Sequence, residues 1–228
     1  MLAASLNEIE AVARKAARGA GMSWGLAEEA GKAARWLALH DQPGLAALVD
    51  LLEWRDGRAH ETLRPHETTG ADGARLWQAA GGALCPVAAG TALVDFAFDL
   101  RRADASIRLH IVRTPLLLLP FIARAAAEEG RRFEMTCGAP GGDPAITQLS
   151  PDGPTGPLPR LPGEADILIR PATDGGTRSE RATPRIARGV AVDRRVWARA
   201  ERLAHRTYVP ASDGSRLSGA GAGLSDND

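Results

Sequence analysis

Residues 91–112 read TALVDFAFDLRRADASIRLHIV, and whether this chain contains a sheet turns on them. Ala92, Val94, Phe96 and Phe98 alternate with more polar neighbours across 91–99, the two-residue period of a half-buried strand. Arg101 to Ala105 supply a turn. Residues 107–112 then read as the return strand, with Ile107, Leu109 and Ile111 on one face and Arg108, His110 and Val112 on the other. The expectation is a hairpin.

Upstream the period changes to that of helices. Ser5 with Glu8 forms a capping box, and Leu6, Ile9, Val12, Ala13 and Ala16 trace one apolar face until Gly19 stops the helix. Ser23 caps a second helix that runs to about His40, with Trp24, Ala27, Ala30, Ala34 and Leu37 as its buried stripe and a Glu28–Lys32 pair outside. A third follows Pro43 with Leu45, Leu48, Val49 and Leu52 inward, ending at Asp56-Gly57. Residues 58–73 are polar, contain Pro65 and lack periodicity, so they read as a loop or linker.

Downstream, Thr114 and Pro115 open a helix to about Glu129, closed by Gly130, with Pro120 near its start where a lost hydrogen bond costs least. Strands are expected at 133–137, 165–170 and 190–192, separated by a glycine-rich turn at 138–142, a proline-rich excursion at 150–163 and a stretch at 172–187 without pattern. Asp193 caps a last helix with Val196, Trp197, Ala200, Leu203 and Ala204 inward. The tail from 210 to 228 is rich in glycine and serine, a composition that by itself reads as disordered. The expected fold is α+β: a three-helix layer at 1–57 packed on a mixed sheet with two further helices within 74–209.

The 228 residues can bury a sizeable core without disulfides or structural metal. Basic and acidic residues number 28 each, so no overall field draws the chain to nucleic acid or to an anionic membrane. Its most apolar run, 115–123, is far shorter than the roughly 20 residues that cross a bilayer. The first residues lack the unbroken apolar stretch of a signal peptide, and two distant cysteines suit a reducing compartment, so a cytoplasmic location is expected. Only Lys15 and Lys32 are lysines, a bias of arginine-rich coding that makes many arginines look functional.

Two blocks carry a resemblance: SLNEIEAVARKAARGAGMSWGLAEEAGKAARWL at 5–37 and TYVPASDGSRLSGAGAGLSDND at the end. They resemble the bacterial family catalogued as domain of unknown function 3726. The resemblance brings no activity, cofactor or catalytic residue with it. What it implies is that the tail is a kept feature, so that residues from Arg216 to Asp228 are ordered against the body or a partner.

Cys85 follows two glycines and precedes Pro86; a helix starting there would turn free amides toward the thiol and favour thiolate, whereas burial would make it a small hydrophobe. Cys137 ends a strand beside glycines. Together the two permit a thiol pair that moves a proton between the faces of a carbon acid, against the alternative that both are core residues. His60-Glu61 and His66-Glu67 offer metal ligands, but six positions and Pro65 separate the histidines where a zincin helix needs one turn, so no metal site is expected. Neither Gly138, Gly141 and Gly142 nor the run 219–223 opens a helix after a strand, which excludes the dinucleotide fingerprint. Arg108, Arg113, Arg170 and Arg216 could clamp an anion, three of them at or near strand ends, and Asp226 could contribute from the tail.

Two functions follow from these residues. One is an enzyme or binder acting on a small anionic metabolite, with catalytic candidates Cys85 and Cys137 and binding candidates Arg108, Arg113, Arg216 and Asp226. The other is a non-catalytic accessory protein, a homo-oligomer or a subunit of a metabolic enzyme, working through the helical layer and the tail. The residues point to no particular cofactor.

Overall fold

A computed structural model describes residues 1–70, 75–97, 100, 105–138, 143–172 and 189–207. Phe98, Gly141, Gly142, the stretch at 173–188 and the tail with Arg216, Asp226 and Asp228 lie outside the described residues.

The helical start follows its local signals. In α1 (Leu6–Gly19) the Ser5 hydroxyl accepts from the Glu8 amide at 3.2 Å while Glu8 Oε2 accepts from the Ser5 amide at 2.8 Å, which closes the capping box. Ser23 Oγ caps α2 (Trp24–Leu39), and α3 (Gly44–Arg55) follows Pro43. Two expectations on α2 are corrected. Trp24 sits at the helix's first position, 67% exposed under the Arg18 guanidinium, and Lys32 pairs at 2.7 Å with Glu29, not Glu28. The helix expected after Asp193, α6 (Arg194–His205), is capped by that residue and lies against α1 and α3, so one of the two further helices packs with the N-terminal three.

The sheet runs β2 (His66–Thr69), β3 (Arg75–Gln78), β4 (Ile107–Arg113), β8 (Glu164–Pro171), β5 (Phe133–Cys137), β6 (Ala145–Ser150), β7 (Gly153–Pro154) in spatial order. Every neighbouring pair is antiparallel except β3 with β4. A separate antiparallel ribbon joins β1 (Leu2–Ala4) to β9 (Val190–Val192). The fold is α+β, and the described residues form six α-helices and a seven-stranded mixed sheet.

The hairpin expected at 91–112 is not there. Residues 86–95 form α4 (Pro86–Asp95), the crossover between parallel β3 and β4. Parallel neighbours need such a connection, where a hairpin would have made them antiparallel. The buried positions Pro86, Ala89, Gly90, Leu93, Ala97 and Leu100 repeat at helical spacing, whereas Phe96, assigned inward by the alternation, is 47% exposed. This adds a third helix to the two expected beyond the helical start, since α5 (Leu119–Glu129), entered through a 3-10 turn at Pro115–Leu118 and ended by left-handed Gly130, stands where expected. Strands β1, β2, β3, β6 and β7 were not anticipated: β2 lies inside the supposed loop at 58–73, and β7 inside the proline-rich excursion at 150–163.

Two apolar clusters result. One fills the space among α1, α2, α3 and α6, and the other lies between the sheet's inner face and α4 and α5. Trp36 and Leu116 pack against both and join them. Among the described residues no helix is long and apolar enough to cross a membrane.

Candidate functional site

The site is a defect in the sheet. Leu109 pairs with Ile167 and Val112 with Ala165, so His110 and Ile111 on β4 face a single residue, Asp166, on β8. That two-against-one count is a β-bulge. Ile111 takes a left-handed φ of 47°, a conformation that costs a β-branched residue about 1–3 kcal/mol. The bulge also corrects the expected faces of the strand: Val112 turns inward with Leu109, and Ile111 is only half-buried.

Asp166 fills the gap the bulge creates. Its Oδ1 accepts from the Ile111 amide at 2.8 Å and from His110 Nδ1 at 3.0 Å. A carboxylate only accepts, so Nδ1 is the donor, and in the neutral ring Nε2 carries the lone pair. The imidazole and the carboxylate are 50% and 60% exposed, and no second partner of Nε2 occurs among the described residues. The backbone around the pair is tied down: Leu84 N donates to Ile111 O at 2.8 Å, Arg113 N to Leu84 O at 3.1 Å, and Gly138 N to Asp166 O at 3.0 Å.

Alternate residues of a strand share a face, so Glu164 and Asp166 project side by side from β8. Glu164 takes Arg113 Nη1 at 3.0 Å. His110 and Arg113 are thereby held by alternate carboxylates of the same strand, Asp166 and Glu164. The Arg113 guanidinium also lies over the Trp54 indole, 5.8 Å from its centroid, and its Nε is buried without a partner. On the same indole, at 4.8 Å, lies Arg58, whose Nε donates to Trp54 O at 2.9 Å.

The other anticipated residues are dispersed. Cys85 is the N-cap of α4, ahead of Pro86 as the thiolate argument required, and the Val87 and Ala88 amides and the Arg55 charge favour its ionised form. Burial outweighs them and pushes the thiol up. Cys137 is buried on the sheet's inner face, where desolvation likewise raises it, and the two thiols belong to different clusters. Arg108 projects from the outer face of β4, and Arg170 is bound to Glu134 at 2.6 Å. Glu67 is engaged by Arg75 at 2.7 Å and by the Trp77 indole at 3.1 Å, which holds β2 to β3. Cavities of about 240 Å³ between α1 and α6 and about 440 Å³ beside β9 do not reach the end of β4.

His110 and Asp166 escaped the reading of the residues because 56 positions separate them. The available signal was weak: each is an outward polar residue on a strand expected from its pattern, and only strand pairing unites them.

Residues 4–85, from β1 to the cap of α4, match the family model described as protein of unknown function (DUF3726). Over that stretch the chain is similar to this family. The match spans α1 to α3, β2 and β3, so Trp54 and Arg58 fall inside the matched region while His110, Arg113 and Asp166 fall beyond it. None of the curated proteins matches. Among solved structures, malate dehydrogenase from Pyrococcus horikoshii OT3 is similar over 73% of this chain and 50% of that one, at 15% identity and a TM-score of 0.48. Malate dehydrogenase from Entamoeba histolytica is similar over 65% and 46%, at 14% identity and a TM-score of 0.47. The chain thus spans about half the length of these proteins, and a likeness so distant says nothing of the site.

Proposed function

We propose that the chain binds a small anionic metabolite at the β4 bulge, and that His110 moves a proton to or from it. The observation that carries this is the double duty of Asp166, which orients the imidazole and holds the strained backbone in one geometry. A carboxylate on Nδ1 fixes the ring and stabilises the imidazolium that forms when Nε2 takes a proton. Arg113, alongside, supplies the charge that would keep the ligand's anionic group near Nε2. Asp166 is then a positioning residue, and Cys85 and Cys137 serve as packing. An accessory role through the helical layer has less support, because exposed Trp24 is already stacked by Arg18.

Nitrogen NMR of the His110 ring, identified by its loss in His110→Asn, tests the reading. The wild type is expected to show the Nδ1–H tautomer, and Asp166→Asn to lose that preference while the chain stays folded. Acetate, succinate and 2-phosphoglycolate are titrated in turn, and at least one should shift the ring signals saturably. A ring without tautomer preference, or signals that no anion moves, would remove the proposal.

A further inference from the structure

We infer that the ligand of this site carries two anionic groups, carboxylate or phosphate, the second of them seated on Arg58 against Trp54. This rests on the reading of the His110 site given above. Arg58 and Arg113 lie over one indole, so their guanidinium carbons are within roughly 11 Å of each other. Their free donors differ. Arg113 has already given Nη1 to Glu164, and its Nε is buried, so it cannot offer a fork to a second carboxylate. Arg58 has committed only Nε, to the Trp54 carbonyl, and among the described residues neither of its Nη groups has a partner. Those two Nη groups make the end-on fork that receives a planar carboxylate or two phosphate oxygens.

The charges around Trp54 do not balance. Glu164 answers Arg113, but Arg58 meets no carboxylate among the described residues. Behind them Arg55 is buried at the end of α3, with Nη1 on the Ala20 carbonyl at 2.7 Å and Nε unpartnered, while neighbouring Asp56 is held by Arg206. With Asp166 engaged by His110, the two guanidiniums on the Trp54 indole are answered by Glu164 alone, and the second anionic group of a dianion supplies what Arg58 lacks. The indole and the Trp54 carbonyl keep the Arg58 plane in place before the ligand arrives, which lowers the entropy lost on binding.

The test compares one charge with two on the full chain, using the His110 ring signals and calorimetry at low salt. Succinate or 2-phosphoglycolate should bind about tenfold more tightly than acetate. Arg58→Ala should abolish that preference and leave the weak acetate affinity in place, with Arg58→Lys in between because it keeps the charge without the fork. Which of the two dianions binds better distinguishes a second carboxylate from a phosphate. Equal affinities for acetate and both dianions, or an Arg58→Ala variant that weakens acetate as much as succinate, would overturn this inference and leave the His110 site standing. Ring signals that respond to none of the three anions would overturn both.

Discussion

At the scale of single residues, the two thiols show how one sequence signal can be right in place and wrong in consequence. Cys85 does cap a helix that begins at Pro86, yet its side chain is enclosed by the helical core, and desolvation decides against ionisation. Native protein is therefore expected to react with a disulfide reagent at neutral pH far more slowly than the unfolded chain, with both thiols appearing together on addition of denaturant. Fast labelling of either thiol in the native state would contradict the packing described. The histidines illustrate the opposite case. The alternation in 107–112 placed His110 outward, and it is outward, but nothing near it in sequence marks it apart from His40 or His205. Its partner comes from a strand 56 residues away, through a bulge that no local pattern announces.

Among elements, the three helices with side-chain caps were legible, as were α3 and α5 without one, but α4 was not. Ser5, Ser23 and Asp193 each accept from an amide of the helix they open, a signal complete within four residues. Cys85 makes no such cap, and α4 is rich in alanine and β-branched residues whose alternation imitated a strand. Glycine carried a second message. Gly19 does end α1, but what demands it is α6: a Cβ there would lie 1.8 Å from the Leu203 carbonyl oxygen. At Gly90 a Cβ would meet the Phe121 ring at 2.3 Å, so α4 and α5 touch where there is no side chain. Gly19→Ala and Gly90→Ala should each lower stability by about 1–3 kcal/mol, the larger effect at Gly19 because backbone must move. Thermal melts that match the wild type would deny those contacts.

The hold of α6 on α3 depends on pH. Arg199 reaches Glu53 at 2.6 Å and Asp50 at 2.7 Å, and Arg206 grips Asp56. Hydrogen bonds from Arg199 and Arg206 lower Glu53 and Asp56 below their ordinary values of 4.5 and 3.8. A carboxylate depressed in the folded state adds stability that is fully present above its ordinary value and lost as pH falls through the folded one. The melting difference between wild type and a Glu53→Gln/Asp56→Asn variant should accordingly be present at pH 6, shrink below about pH 4.5 and diminish with salt. A difference that grew on acidification would reverse the assignment.

At the scale of the molecule, two cores share a seam at Trp36 and Leu116, and the site sits at one end of the sheet where α3, the loop before α4 and β4 converge. Composition could foresee the size of the core and the lack of a dominant charge. It could not foresee the local excess at Trp54, because an even total of acids and bases is silent about where each lies.

The ribbon of β1 with β9, and the seat of α6 on α1, impose an order in time. On the ribosome the first helices emerge early, but the apolar face of α1 that receives Leu203 stays uncovered until residues 190–205 have been made. During most of synthesis that face has no permanent cover, so the nascent chain must be guarded or brief in this state. The family-matched stretch at 4–85 is thus born long before the helix that seals it, and cutting the chain after β8 should leave it sticky rather than merely shorter.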